Sequence, residues 1–285
     1  MYRITAKETL VQTIQMMKIE APAVSRKGKA GQFIIVRTHE RGERIPLTIA
    51  DMDPNEGTVT IVFQEVGKST RELGMLNAGD WVQDFVGPLG IPTHVGKLGT
   101  VVCVAGGVGV APIHPIARAF KQAGNKVITV MGARSKNLLF WEDRLRAFSD
   151  ELIVTTDDGS YGRKGVVTVP LKEVLERPEK IAEVIAIGPV VMMKFCCVTT
   201  KPFNVKTTVS LNSLMLDGTG MCGCCRVSAA GQTKFVCVDG PDFDGHSIDW
   251  DLFQARQGIY LDEEKLAVQE WERCGCANAA QRARA

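Results

Sequence analysis

The chain is short of several things. It has almost no excess charge: 34 Lys and Arg against 32 Asp and Glu leave a formal net charge of +2. Nothing therefore points to nucleic acid or an anionic membrane as a partner. It has no run of about 18 apolar residues, and a membrane-spanning helix is not expected. It opens on MYRITAKETL, which lacks the apolar core of a secretory signal. A soluble protein of the cytoplasm is the expectation. Internal repeats and low-complexity segments are also missing, so neither a repeat array nor a biased linker organises the chain.

What the chain has in quantity is length and cysteine. At 285 residues and 45% hydrophobic composition, it is long for one domain and comfortable for two or three. Nine cysteines in a reducing compartment read as metal ligands or redox groups where they cluster. Cys103 sits in an apolar run and reads as a small buried hydrophobe. Cys196 adjoins Cys197, while Cys222, Cys224, Cys225 and Cys237 cluster, and Cys274 and Cys276 lie near the end.

The first third reads as strands. FIIVRT (33–38), PLTIAD (46–51) and TVTIVFQEV (58–66) are separated by Gly, Pro, Asn and Asp, with no helical period before about Ser69. Such a pattern predicts an antiparallel barrel. Near Gly99 it changes. TVVCVAGG (100–107) is a continuous apolar run, as in a buried parallel strand. In APIHPIARAFKQAG (111–124), Ile113, Ile116, Ala117 and Phe120 share one helical face. Strand patterns at 126–134, 151–156 and 183–188 alternate with helix patterns at 137–148, at 166–176 and from Pro189 onward. This predicts a doubly wound parallel sheet. After about Pro202 the chain is rich in Cys, Gly and Asp, shows little periodicity, and is short for a core of its own. A metal cluster would supply the missing stability.

Two loops invite chemistry. In AGGVGVAP (105–112), Gly107 and Gly109 would let a phosphate approach backbone N–H groups at a helix N-terminus. Pro112 stands where the dinucleotide fingerprint has its third glycine. A second glycine-rich loop, TTDDGSYGRKG (155–165), follows the third strand of the sheet, at the edge where open α/β proteins bind ligands. In the C-terminal part, Asp217-x4-Cys222-x2-Cys225 has the spacing of a plant-type ferredoxin motif, with Asp217 in the place of the first thiolate and Cys237 following after eleven residues. That set suits a [2Fe–2S] centre. Zinc held by Cys222, Cys225, Cys237 and Cys274 or Cys276 stays open on spacing, as does a metal-free loop.

A barrel, a parallel nucleotide fold and a ferredoxin-like motif, in that order, resemble the ferredoxin–NADP reductase superfamily. They look most like its electron-transfer subunits with a C-terminal [2Fe–2S] domain. Two branches are similar: the electron-transfer subunits of dihydroorotate dehydrogenase, and the small subunits of bifurcating NADH-dependent ferredoxin:NADP oxidoreductases, also known as sulfide dehydrogenase. The stretches Arg44-Ile45-Pro46-Leu47-Thr48, Gly67-Lys68-Ser69-Thr70 and Gly87-Pro88-Leu89-Gly90 carry the flavin side of the likeness. The nucleotide side rests on Ala105–Pro112, Asp157-Asp158-Gly159-Ser160, and Gly188-Pro189 with Met192-Met193. The resemblance implies a FAD-binding barrel at 1–97, an NAD(P)-binding part at 98–205 and a [2Fe–2S] part at 206–285.

By the same resemblance, Arg44 pairs with FAD phosphate, and Pro46, Leu47 and Thr48 line the isoalloxazine ring. Gly67, Lys68, Ser69 and Thr70 hold the pyrophosphate. Gly107, Gly109, Pro112, Asp157, Asp158, Gly188, Pro189 and Met192 serve NAD(H). Arg134, with Lys136, keeps NADP(H) open. Ile187 replaces a cysteine common in relatives, so no thiol is expected beside the nicotinamide there. Asp217, Cys222, Cys225 and Cys237 would hold the cluster. The dihydroorotate branch is expected to use four cysteines there, so Asp217 favours the bifurcating branch. That branch implies a large, glutamate-synthase-like partner with another FAD, [4Fe–4S] clusters and an NADPH site, with ferredoxin reached through the complex. Hydride transfer to flavin calls for no protein general base. The dihydroorotate-type subunit, a stand-alone flavin reductase and a zinc-stapled redox-sensing module are the rivals. Cys224 has no assigned role.

Overall fold

A computed structural model describes residues 1–273; Cys274 and Cys276 lie outside them. The N-terminal strands are β1 (Tyr2–Val11), β2 (Ile14–Glu20), β3 (Phe33–Arg37), β4 (Ile45–Asp53), β5 (Thr58–Gln64), β6 (Trp81–Val82) and β7 (Asp84–Leu89). They form one antiparallel sheet in the order β6-β1-β2-β5-β4-β3-β7. The run Trp81–Leu89 pairs with β1 through β6 and with β3 through β7. The two edges of the sheet thus meet in one short stretch of chain, and the barrel is nearly closed. Its interior is filled by the alternating apolar positions of each strand, among them Ile4, Met17, Ile34, Ile61, Phe63 and Phe85.

Two helices accompany the barrel: α1 (Pro22–Lys27), with Pro22 in its first turn, and α2 (Lys68–Met75). With six residues, α1 is too short to show a period, which is why the sequence pattern passes over it.

The second layer is built on β8 (Thr100–Gly106), β9 (Lys126–Ala133), β10 (Glu151–Thr156), β11 (Arg163–Lys164) and β12 (Ile181–Ile187). Between them run α3 (Val110–Gln122), α4 (Glu142–Arg146) and α5 (Thr168–Leu175), and α6 (Val190–Thr200) follows. β8 reads as a continuous apolar run because both its faces are covered. Val101, Cys103 and Ala105 pack with α3, while Val102 and Val104 pack toward α5 and α6. Cys103 is fully buried, and that burial, with the nearby Glu183 charge, pushes its thiol up to about 12. It is a small core residue, as the sequence implied. Cys196 and Cys197 are also buried in α6, their thiols raised chiefly by burial.

The long helix read at 137–148 is reduced to α4. Trp141 takes a left-handed conformation, φ 58°, at its start, and 136–138 is a single tight turn. The stretch beyond Pro202 departs further from expectation. It contains β13 (Lys206–Ser210), β14 (Arg226–Ala229), β15 (Gln232–Phe235), α7 (Val236–Asp239), β16 (Asp242–Asp244), α8 (Trp250–Gln257) and α9 (Leu261–Arg273). β13 joins β12 in parallel and β16 joins β13 antiparallel, giving the order β11-β10-β9-β8-β12-β13-β16. Val209, Leu211, Met215, Cys225, Val236, Cys237 and Phe253 share one core with Val102 and Val104 of the sheet. The segment borrows its hydrophobic core from the sheet, which removes the size problem its length raised. Among the described residues, no helix is long and apolar enough to cross a membrane.

Candidate functional site

β8 and β12 are neighbours whose following helices, α3 and α6, pack on opposite faces of the sheet. Their C-terminal ends therefore form a switch point, where open α/β sheets bind ligands. The chain approaches itself closely here. A Cβ placed on Gly109 would lie 2.2 Å from the Ile187 carbonyl oxygen, so only glycine lets the two loops stand side by side. α3 begins at Val110, and Pro112 sits in its first turn, where a missing N–H costs nothing.

From this point a cleft of about 1050 Å³ runs to the barrel. β4 contributes Pro46, Leu47 and Thr48, and Thr70 comes from the first turn of α2. The sheet contributes Gly107, Gly109, Pro112, Arg134, Asp157, Gly188, Pro189 and Met192. Twelve of the residues singled out from the sequence thus share one cavity.

Arg44, Gly67, Lys68, Ser69 and Asp158 do not line it. Arg44 is exposed at the edge of β4. Asp158 accepts hydrogen bonds from the N–H and hydroxyl of Ser160, at 2.9 and 2.6 Å, and so closes its own turn. Those bonds hold its carboxyl below the usual range. At the mouth of α2, the Thr70 hydroxyl accepts from the N–H groups of Val66 and Gly67, both at 3.1 Å. The amides of Lys68 and Ser69 in that first turn carry no intrahelical bond, and the Ser69 hydroxyl is engaged by Glu43.

Sequence reasoning missed one wall of the cleft. Ser210, at the end of β13, and Leu211, Asn212, Ser213 and Met215, which follow it, line it. They lead directly into Asp217, and that adjacency was the available signal.

The loop beyond them turns tightly. Gly218, Gly220 and Gly223 all have φ between 70° and 85°. The Asp217 carboxylate accepts from the N–H of Thr219 at 2.7 Å and of Cys222 at 2.9 Å. Those amides, Thr219 foremost, hold its carboxyl below the usual range. Cys225 and Cys237 are buried with their sulfurs 3.2 Å apart, well beyond the roughly 2.05 Å of a disulfide. The N–H of Cys237 also points at the Cys225 sulfur, at 3.5 Å. Burial and the neighbouring Cys225 push the Cys237 thiol up to about 12. Cys222 is exposed, and although desolvation opposes it, backbone hydrogen bonds leave its thiol below the ordinary value. Cys224 is half-buried and its thiol is raised, by desolvation and by Cys222.

Among the described residues, no three His, Cys, Asp or Glu side chains converge as ligands of a single ion. The candidate ligands fall instead into a buried pair, Cys225 with Cys237, and an exposed pair, Asp217 with Cys222. One carboxylate and three thiols that a metal would deprotonate, in two pairs, with the Cys237 N–H on the Cys225 sulfur, fit a two-iron centre with two protein ligands per iron. The loop is seated on the barrel: a Cβ on Gly218 would lie 2.9 Å from Leu89 and 3.1 Å from Ile35. Ile35 in turn pairs with Pro46 of β4. The loop thus rests on β3, the neighbour of β4, and begins two residues beyond Met215 of the cleft wall.

Known proteins agree with this layout. Residues 212–249 match the iron–sulfur cluster binding domain of dihydroorotate dehydrogenase B, and residues 103–198 match the oxidoreductase NAD-binding domain. An uncharacterized protein of Clostridium beijerinckii is 48% identical over 97% of this chain and 99% of its own. A dihydroorotate dehydrogenase B (NAD(+)) electron transfer subunit homolog of Thermotoga maritima is 47% identical over 94% of each chain. A solved structure of NADH-dependent reduced ferredoxin-NADP oxidoreductase, described for flavin-based electron bifurcation, matches with a TM-score of 0.90 at 45% identity. The match covers 95% of this chain and 98% of that one.

Proposed function

The chain belongs to the family of electron-transfer subunits related to those of dihydroorotate dehydrogenase B, and we propose that it exchanges hydride with NAD(H) through FAD and hands single electrons to a partner subunit through a [2Fe–2S] centre. As a member of that family it is an oxidoreductase subunit with an NAD-binding and an iron–sulfur-binding part. The observation that carries the reading is the single cleft joining β4 of the barrel to the glycine loop of the sheet, with the Asp217 loop resting on β3, the neighbour of β4.

The flavin, when bound, supplies the conversion between hydride and single electrons, and the iron–sulfur centre supplies one-electron transfer. The chain's own residues position and shield. Pro46, Leu47 and Thr48 present an edge of β4 to a planar ring. The free amides of Lys68 and Ser69, with Arg44 near the rim, suit the pyrophosphate. Gly107 and Gly109 bring backbone N–H groups to the second dinucleotide, and Pro112 shapes the first turn behind them. Gly188, Pro189 and Met192 close over the nicotinamide end and exclude water. Arg134 and Asp157 face the adenosine end, where a carboxylate suits the free ribose hydroxyls of NAD and a guanidinium suits a 2′-phosphate. Asp217 and Cys222 would hold the outer iron, Cys225 and Cys237 the inner. The parts are 1–97 for flavin, 98–205 for nucleotide and 206–285 for the cluster, with β13 and β16 stitching the last two together. The described cysteines are all free, as the reducing cytoplasm would keep them.

We assign the chain to a complex with a large, glutamate-synthase-like flavin and [4Fe–4S] subunit, which divides electrons between NADPH, NAD and ferredoxin. The carboxylate at position 217 and the likeness to the bifurcating oxidoreductase structure support that assignment. The match at 212–249 favours a second reading, a dihydroorotate-oxidising complex. Anaerobic purification of the native complex decides between them. Two flavins, more iron than one [2Fe–2S] centre explains, and bleaching of the small-subunit flavin by NADH are expected. Orotate-linked turnover would move the assignment to the dihydroorotate branch. A preference for NADPH at this subunit would overturn the NAD(H) assignment.

A further inference from the structure

The helix that carries the glycine loop is fastened to the strand that faces the flavin side of the cleft. α3 opens into the cleft through Ala111 and Pro112. His114 and Arg118 follow, one turn apart on the same helical face. His114 is buried, and its Nδ1 lies 3.3 Å from the Ala50 carbonyl oxygen of β4, which places the proton on Nδ1. Arg118 Nη2 lies 2.8 Å from Asp51 Oδ1, with both side chains about three-quarters buried.

β4 is shaped for this contact. Its pairing with β5 steps from Ile49–Ile61 to Asp51–Thr60 and skips Ala50. Ala50 is therefore the extra residue of a β-bulge, without a partner opposite it on β5, and His114 meets its carbonyl. Below the imidazole, Trp141 and Phe148 stand edge-on at 5.4 and 5.6 Å, and Phe148 also lies 5.9 Å from the Arg118 guanidinium. Burial lowers the affinity of His114 for a second proton, with the Arg118 and Arg144 charges adding to the effect against the opposing pull of Ala50 and Asp51.

Two stiff arms leave this clamp and end in the cleft. From Arg118 back to Ala111 is about 10 Å of helix. From Asp51 back to Thr48 is about 10 Å of strand. One arm ends at the nucleotide loop and the other beside the flavin position, so a small rotation at the clamp displaces one tip against the other. Hydride transfer needs its reacting atoms within about 3–3.5 Å, and a misplacement of about 1 Å costs on the order of 100-fold in rate.

We propose that His114 and Arg118, through Ala50 and Asp51, are positioning residues that set the approach of the nicotinamide to the flavin. This rests on the NAD(H)–flavin reading above. The test is single-turnover reduction of the holoprotein by NADH, followed at the flavin absorbance across NADH concentrations, with Arg118→Ala, Asp51→Ala, the double variant and Arg118→Lys. Expected are flavin and iron contents equal to wild type, an NADH Kd within about twofold, and a limiting reduction rate lower by on the order of 10- to 100-fold. The long-wavelength charge-transfer absorbance of the nicotinamide–flavin complex should weaken in step. Arg118→Lys should recover much of the rate, and the double variant should be no worse than either single one. For the histidine, His114→Asn keeps an N–H donor near the same place and should exceed His114→Leu. Unchanged limiting rates and charge-transfer absorbance in Arg118→Ala and Asp51→Ala would overturn the proposal. If wild-type flavin is reduced by neither NADH nor NADPH, the underlying reading fails first, and the clamp loses its role with it.

Discussion

Thr93 donates its hydroxyl to the Asp242 carboxylate at 2.6 Å, tying the segment that leaves the barrel to the last strand of the parallel sheet. Beside it, the Ile91 N–H donates to the Gly240 carbonyl at 2.6 Å. The contact is costly for a carboxylate. Asp242 Oδ1 is buried and has no hydrogen-bond partner, and burial pushes the carboxyl up to about 6, against the lowering effect of the Thr93 and Ser210 hydroxyls.

A titration of stability follows. Between about pH 4 and pH 6 the folded chain holds a proton on Asp242 that the unfolded chain has released. Stability from this group is complete below the unfolded value and falls as pH rises through about 6. Asp242→Asn keeps an acceptor for Thr93 and removes the charge. Its thermal midpoint should match wild type near pH 4 and exceed it at pH 7, by roughly 1–3 kcal/mol of stability. A difference that does not vary across that range would mean the carboxyl titrates normally.

Gly109→Ala should damage the nucleotide side alone. The new methyl would press on the Ile187 carbonyl and on Gly188, and backbone on both sides leaves little room to yield. Relief has to come from separating the α3 loop from the end of β12. Such overpacking typically costs about 1–3 kcal/mol of stability. NADH-driven flavin reduction should fall sharply while flavin content stays near wild type. Retained NADH affinity and rate would show that the loops separate freely.

Asp217→Cys and Asp217→Ala separate ligation from loop folding. The carboxylate already accepts two backbone N–H groups, so it orders the loop whatever else it does. If it also ligates iron, Asp217→Cys should keep the centre with a shifted potential and a changed visible spectrum, since thiolate is the softer donor. Asp217→Ala should lower iron occupancy. Identical spectra, potentials and iron contents in wild type and both variants would leave it as a loop-ordering residue only.

Much of this architecture is written in local pattern. The β8 run, the α3 face and the strand patterns of the barrel depend on residues within a few positions of one another, and each forms where periodicity places it. The failures have specific causes. Trp141 breaks the helix at 137–148 with a left-handed backbone that no periodicity reveals. In α8, Asp249 caps the helix by accepting from the Leu252 N–H, but that helix has only one buried apolar residue, Phe253. α9 has none, so neither shows a hydrophobic stripe. At the site, motif residues gathered in the cleft because the glycine-rich loops lie at strand ends. The Leu211–Met215 wall was signalled only by its adjacency to Asp217, and the His114–Ala50 contact was illegible because it joins parts of the chain that meet only after folding and also needs a bulge.

The placement of β13 and β16 within the parallel sheet has a consequence for traffic. A redox carrier on a tether can ferry electrons by swinging between donor and acceptor, whereas the segment that bears the Asp217 loop is built into the sheet. Hydrogen-bonded strands hold its base, the barrel touches its loop at Gly218, and the Ile91 and Thr93 bonds pin Gly240 and the first residue of β16. A centre held on this loop would be a fixed terminal rather than a shuttle. Whatever receives its electrons has to come to the loop, where Met221, 88% exposed beside Cys222, stands foremost.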